Sequence, residues 1–129
     1  MTDNRSHGTA GKNKINKRSI GARYEAAAAA FLTQNGLSII ARNYSCRRGE
    51  IDIIAMDAGT LCFIEVKYRS STAYGYPSEA VGFRKQQRII ASSEYFISER
   101  GLSSVRRRYD VIEIIGNKLR YLKNSFGGF

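Results

Sequence analysis

Two almost unbroken apolar runs, Ile51–Met56 and Leu61–Lys67, flank the segment Asp57-Ala58-Gly59-Thr60. Strand-forming residues around a short Asp/Gly connection define a β-hairpin, and this hairpin constrains the rest of the fold. If Asp57 pairs with Thr60, Asp52 stands directly opposite Glu65 on one face, with Cα atoms roughly 4.5–5.5 Å apart. Lys67 lies two residues beyond Glu65 and points to the same face. Both runs read as central strands buried on both sides. Charges there are costly unless they are paired or bound to metal. The alternative is a solvated strand face on which Glu65 and Lys67 form a weak ion pair. The apolar surroundings of each charge favour a site: opposed carboxylates repel, and a divalent cation beside Lys67 would offset that repulsion.

The chain has 129 residues and a formal net charge of +10, enough length for one domain with a real core. A pI near 10.0 directs such a domain toward nucleic acid, and less often toward an anionic membrane surface. No apolar run approaches the roughly 18 residues of a spanning helix. The N-terminal charges are not followed by the apolar stretch of a secretory signal. Cys46 and Cys62 lie in unlike contexts and make neither a zinc site nor a disulfide framework. Cys62 reads as a small buried hydrophobe and Cys46 as a loop thiol, so the expected compartment is the reducing cytoplasm. His7 is the only histidine and falls in a basic tail. Histidine triads and histidine metal sites are therefore excluded, leaving carboxylates, lysine and a hard metal for any catalysis.

Residues 1–18 carry Arg5, Lys12, Lys14, Lys17 and Arg18 and read as a disordered basic arm, either a solubility tail or a phosphate contact. A single domain is expected over 19–123, with a flexible tail at 124–129. The first helix is predicted from an N-cap at Ser19 to about Asn35, stopped by Gly36. Ile20, Tyr24, Ala27, Phe31 and Leu32 form its apolar stripe, and Ala26–Ala30 suits close packing. Glu25 borders the stripe as either a surface acid or a third acid aimed at the site. Strands follow at Leu37–Tyr44, Ile51–Met56 and Leu61–Tyr68. A basic loop over 43–49, with Arg47 and Arg48, leads into the second strand. Ser70–Ser78, with Pro77, has the composition of a functional flap. A second helix is expected from Ser78 to Arg100, ended by Gly101, with Phe83, Gln86, Ile90 and Ile97 on one face. The amide of Gln86 needs partners if it is buried there. Arg84, Lys85 and Arg88 decorate its first half. Arg108–Ile115 and Lys118–Leu122 form a hairpin around Gly116-Asn117. Arg106, Arg107 and Arg108 read as a phosphate clamp, in preference to a solvated run, and Asp110 as structural.

An acid on the first helix, Asp52 on one strand and Glu65-Val66-Lys67 on the next resemble the PD-(D/E)XK nuclease superfamily. The fuller string is more specific. Gly21 and Glu25, Ala41-Arg42-Asn43-Tyr44, Gly49-Glu50-Ile51-Asp52, Phe63 to Arg69, Lys85-Gln86 and Arg108-Tyr109-Asp110-Val111 resemble the bacterial YraN-like family, described as endonuclease-like. The resemblance covers roughly residues 20–122 and departs from the superfamily at Ile51, where its name has proline. It implies an α/β fold with a central mixed β-sheet flanked by helices, a restriction-endonuclease-like core similar to archaeal Holliday-junction resolvases. It also implies that Asp52 and Glu65 ligate Mg²⁺ or Mn²⁺, with the Val66 carbonyl completing the shell. Lys67 would position or deprotonate water, Glu25 would hold a water at the metal, and Gln86 would orient groups at the edge. The expected substrate is branched or flapped DNA, with phosphates met by Arg47, Arg48, Arg69, Arg84, Lys85, Arg88, Arg106, Arg107 and Arg108. Symmetric cutting of two strands would need a homodimer. The competing readings are an inactive nucleic-acid-binding module of the same fold and a basic RNA- or ribosome-associated interaction protein. The acids embedded in core strands speak against the last.

Overall fold

The structure, a computed structural model, describes residues 9–69 and 81–127, with side chains from Arg18 onward. The stretch Ser70–Ser78, read as a flap, lies outside the described residues, as do residues 1–8 of the arm. Element order is α1 (Thr9–Gln34), β1 (Ser38–Cys46), β2 (Gly49–Asp57), β3 (Thr60–Arg69), α2 (Phe83–Arg100), β4 (Arg106–Ile115) and β5 (Lys118–Phe126). The strands form one sheet in sequence order. Neighbours are antiparallel except β3 and β4, which run parallel because the chain returns through α2. The result is the expected α/β architecture, a mixed sheet flanked by helices.

Strand alternation divides the core between two faces. Ile53, Ala55, Cys62, Ile64, Val66, Ile112 and Ile114 pack under Ala28, Ala29 and Leu32 of α1. Ile54, Leu61, Phe63 and Tyr109 pack under Ile89, Phe96 and Ile97 of α2. Each fully buried Leu, Ile or Phe contributes roughly 1.5–3 kcal/mol, so both helices are held by apolar burial. Small residues set the approach: Ala28 and Ala29 let α1 lie close, as do Ser92 and Ser93 in α2. The Ser93 and Tyr109 hydroxyls share a hydrogen bond of 2.6 Å across that second interface. Gly101, at φ 66°, closes α2 by donating to the Ile97 and Ser98 carbonyls.

Several expected boundaries shift. The first helix begins at Thr9 rather than Ser19, since residues 9–18 contain no proline and extending a docked helix costs far less than nucleating one. Its stripe is also rotated: Ile20 is 40% exposed and Ala27 is exposed, while Ala28 and Leu32 are closed off. Arginines 47 and 48 form a two-residue turn, because β1 and β2 pair up to Cys46 and Gly49. Phe83 is 75% exposed, so the buried stripe of α2 begins at Ile89. Strand β5 continues past Leu122, where Phe126 stacks on Tyr109 with centroids 5.4 Å apart.

Candidate active site

The β2–β3 hairpin has the register read from its turn. Asp57 pairs with Thr60 and the ladder continues to Ile53 opposite Ile64. The turn residues Ala58 and Gly59 both have positive φ, 49° and 88°, as a two-residue hairpin turn requires. Beyond Ile53 the strands part, and side chains take over from backbone pairing. Asp52 Oδ2 accepts a hydrogen bond from the Val66 N–H at 2.8 Å, satisfying a donor that the ladder no longer serves.

The neighbouring strand is irregular at the same level. Arg42 pairs with Ile53 and Tyr44 with Ile51, but the intervening Asn43 and Asp52 drop out of the ladder. Asn43 has φ 53°, the left-handed region that asparagine tolerates better than most residues. Alternation slips there: Ile53 packs on the α1 side and Ile51 on the α2 side although they are two apart. Asp52 keeps the face of Ile54, lining the cleft with Ile89 of α2, so the residue that departs from alternation is Ile51.

Glu65 is 3% exposed and carries two cations on one oxygen. Lys85 Nζ lies 2.6 Å from its Oε2 and Lys67 Nζ lies 3.4 Å from the same atom. Burial, then the charge of Glu65, and more weakly that of Glu25, push the Asp52 carboxyl up to about 7 against the pull of the Val66 N–H. Glu25 is half-buried on α1, one turn before Ala28 and Ala29, and its charge adds to the upward push on Asp52. Burial depresses the Lys67 ammonium, and neighbouring Lys85 adds to this against the attraction of Glu65. For Lys85 the balance reverses, because the hydrogen bond and charge of Glu65 outweigh burial and raise it.

Asp52, Glu65 and Lys85 meet in a cleft of about 290 Å³ lined also by Gly49, Glu50, Arg88 and Ile89. Gly49 lets α2 form its far wall: a Cβ there would lie 3.3 Å from Ser92 Oγ and 3.4 Å from Arg88 Cβ. Among the described residues no three acidic, histidine or cysteine side chains enclose a metal by themselves. Two carboxylates facing an open cleft instead suit a hard cation that keeps several waters, such as Mg²⁺. An oxygen that already draws in two ammonium groups fits such an ion.

Two other expectations change. Gln86 is not among the residues lining the cleft, and its Nε2 donates to the Val81 carbonyl at 2.9 Å, satisfying backbone at the start of α2. Its neighbour Lys85 enters the site instead. That position was legible in principle, because a helix following a strand begins at the strand's C-terminal end, where ligands of α/β sheets collect. Arg108 is not a phosphate clamp. Its Nη2 lies 2.7 Å from Asp57 Oδ2 and its Nε lies 3.1 Å from both oxygens of Asp110, which is wholly buried. Tyr121 donates to Asp110 at 2.5 Å and the Asn124 N–H donates at 2.8 Å, completing an internal network. Burial works against the Arg108 charge, but Asp57, Tyr121 and Asp110 outweigh it and hold the guanidinium above its usual range. Arg107 is half-buried beside it and Arg106 is exposed. Arg69 is half-buried at the end of β3, whereas Arg47, Arg48, Arg84 and Arg88 are exposed. Arg88 lines the acidic cleft beside Gly49, and the exposed Arg47-Arg48 turn immediately precedes that glycine.

Residues 24–114 match the Uncharacterised protein family UPF0102. UPF0102 proteins from three bacteria align over most of their length. That of Lachnoclostridium phytofermentans is 40% identical over 89% of this chain and 98% of its own. That of Acetivibrio thermocellus is 44% identical over 88% and 95%, and that of Desulforapulum autotrophicum 43% over 85% and 94%. The chain belongs to the UPF0102 family. The matched span runs from the residue before Glu25 to Ile114, the penultimate residue of β4, and so contains every residue of the cleft. No helix among the described residues is long and apolar enough to cross a membrane.

Proposed function

We propose that this protein is a divalent-metal-dependent phosphodiesterase that cuts structured DNA, an endonuclease of the PD-(D/E)XK kind. One observation carries the reading. Asp52 and the buried Glu65 line one cleft with Lys85 and Arg88, and burial together with the charge of Glu65 pushes the Asp52 carboxyl up to about 7. A purely structural role would be served better by an apolar pair.

Asp52 and Glu65 would hold Mg²⁺ or Mn²⁺, with the Val66 carbonyl as a further ligand. When bound, the ion supplies a nucleophile at neutral pH and neutralises charge developing on the phosphate. Lys67, its ammonium depressed by burial, is placed to hold the attacking water or take its proton. Glu25 would steady a water on the open side of the pair. Arg47, Arg48, Arg84 and Arg88 would position backbone phosphates, with Arg106 farther along the surface. The products would be a 5′-phosphate and a 3′-hydroxyl. Contacts of this kind would carry no base sequence, which favours recognition by shape, as at branches and flaps. Two free cysteines, Cys46 and Cys62, accord with a cytoplasmic site of action. Paired cuts on two strands would require a homodimer.

The test is cleavage of flapped, branched and gapped duplexes by wild type, Asp52→Ala and Lys67→Ala in Mg²⁺, Mn²⁺ and Ca²⁺. Cleavage is expected for wild type in Mg²⁺ or Mn²⁺, with binding alone in Ca²⁺. Binding without cleavage of any substrate would establish the inactive-module reading instead.

A further inference from the structure

The two lysines on Glu65 Oε2 reach it in different ways. Lys67 comes from β3 itself, two residues along, and its side chain is only 25% exposed. Lys85 comes from the first turn of α2, across the cleft, and its side chain is 47% exposed although its ammonium is the closer of the two. A divalent cation seated between Asp52 and Glu65 would bring a third positive group to that oxygen. Like charges this close repel strongly in a half-buried cleft, so one ammonium has to withdraw. Lys67 is fixed by its strand. Lys85 hangs on a flexible four-carbon stem from an exposed helical turn and is the one free to leave. Arg88, three residues on along α2, lines the same cleft, so a released Lys85 emerges beside a guanidinium where a polyanion would lie.

Building on the phosphodiesterase reading above, we propose that Lys85 is an exchangeable counter-ion. It neutralises Glu65 before the metal arrives, is displaced by the metal, and then engages a non-bridging oxygen of the substrate phosphate. Metal and nucleic acid are thereby coupled: the ion frees a cation for the substrate, and the substrate removes that cation's competition with the ion. By linkage the two effects are equal. Lys85 thus makes metal binding weaker in isolation and stronger in the presence of DNA, which no merely structural lysine does.

Three measurements on the full chain test this. Calorimetric titration with Mn²⁺, without DNA, should show Lys85→Met binding the ion roughly tenfold more tightly than wild type, within the usual range of such couplings. The gain in affinity for a flapped duplex on adding Ca²⁺ should fall about fivefold or more in Lys85→Met and persist in Lys85→Arg. On wild type alone, so that no variant need fold, Mn²⁺ should raise the rate at which an amine-reactive reagent labels Lys85, read by mass spectrometry, and leave Lys67 unchanged. Unaltered Mn²⁺ affinity in a folded Lys85→Met, or Lys85 labelling that Mn²⁺ leaves unchanged or slows, would overturn the exchange while leaving the phosphodiesterase reading intact. Absence of Mn²⁺ binding by wild type would overturn both.

Discussion

Asp52→Asn should make the metal-free protein more stable at pH 8. Asp52 has its carboxyl raised from 3.8 to about 7 by burial and by Glu65. A raised carboxyl means the folded chain holds a proton that the unfolded chain has released between those two values. Stability from this group is therefore full below about pH 4, declines as pH rises toward 7, and stays low above it. Three pH units at about 1.4 kcal/mol each set a ceiling near 4 kcal/mol, of which about 2–4 is expected after local relaxation. Asparagine is neutral throughout, and its Oδ1 can still accept the Val66 N–H. At about 3–5 °C per kcal/mol for a domain of this size, the variant should melt about 6–20 °C higher at pH 8 in chelator. The gap should close toward pH 4. Added Mn²⁺ should stabilise wild type, by binding the folded form alone, and leave the variant unchanged. A variant that melts at or below wild type at pH 8, or a gap independent of pH, would refute the claim that Asp52 is held under charge stress.

Other outcomes follow from the disposition of the basic residues. Duplex binding should weaken with salt at a slope of log K against log salt near −4 to −5, if Arg47, Arg48, Arg84, Arg88 and Arg106 engage phosphates. A flat response would point to a protein partner instead. Arg48→Ala should reduce that slope by about 1 in the same titration. Arg108→Ala should leave the slope unchanged but cost about 3–5 kcal/mol in denaturant unfolding, since it strands wholly buried Asp110. Equal stability of Arg108→Ala and wild type would show that the internal network is not what holds β4 to the hairpin. Lys67→Ala should lose cleavage yet keep or gain Mn²⁺ affinity by calorimetry, because it removes a charge that opposes the cation.

The hairpin was readable because period-two alternation and a two-residue turn leave little freedom in register, so Asp52 and Glu65 fall together. The slip at Asn43 was not readable. Its φ of 53° has no sequence signature, and the departure from alternation falls on the next strand, at Ile51 opposite Tyr44. Arg108 misleads for the same reason. Three consecutive arginines look like a surface patch until Asp57, at the hairpin turn, and Asp110, two residues on, converge on one of them. The place of Lys85 was not readable either, because its partner Glu65 lies on β3, a separate element. Local chemistry is thus legible where it repeats along one strand, and obscured where partners come from separate elements.

The most direct test of the account is calorimetric titration of Mn²⁺ into wild type, Asp52→Ala and Glu65→Gln at pH 8, with folding of each checked by circular dichroism. One ion per chain is expected for wild type and none for either folded variant. Failure of wild type to bind, or undiminished binding by folded Asp52→Ala, would contradict the assignment of these two carboxylates as the metal-holding pair.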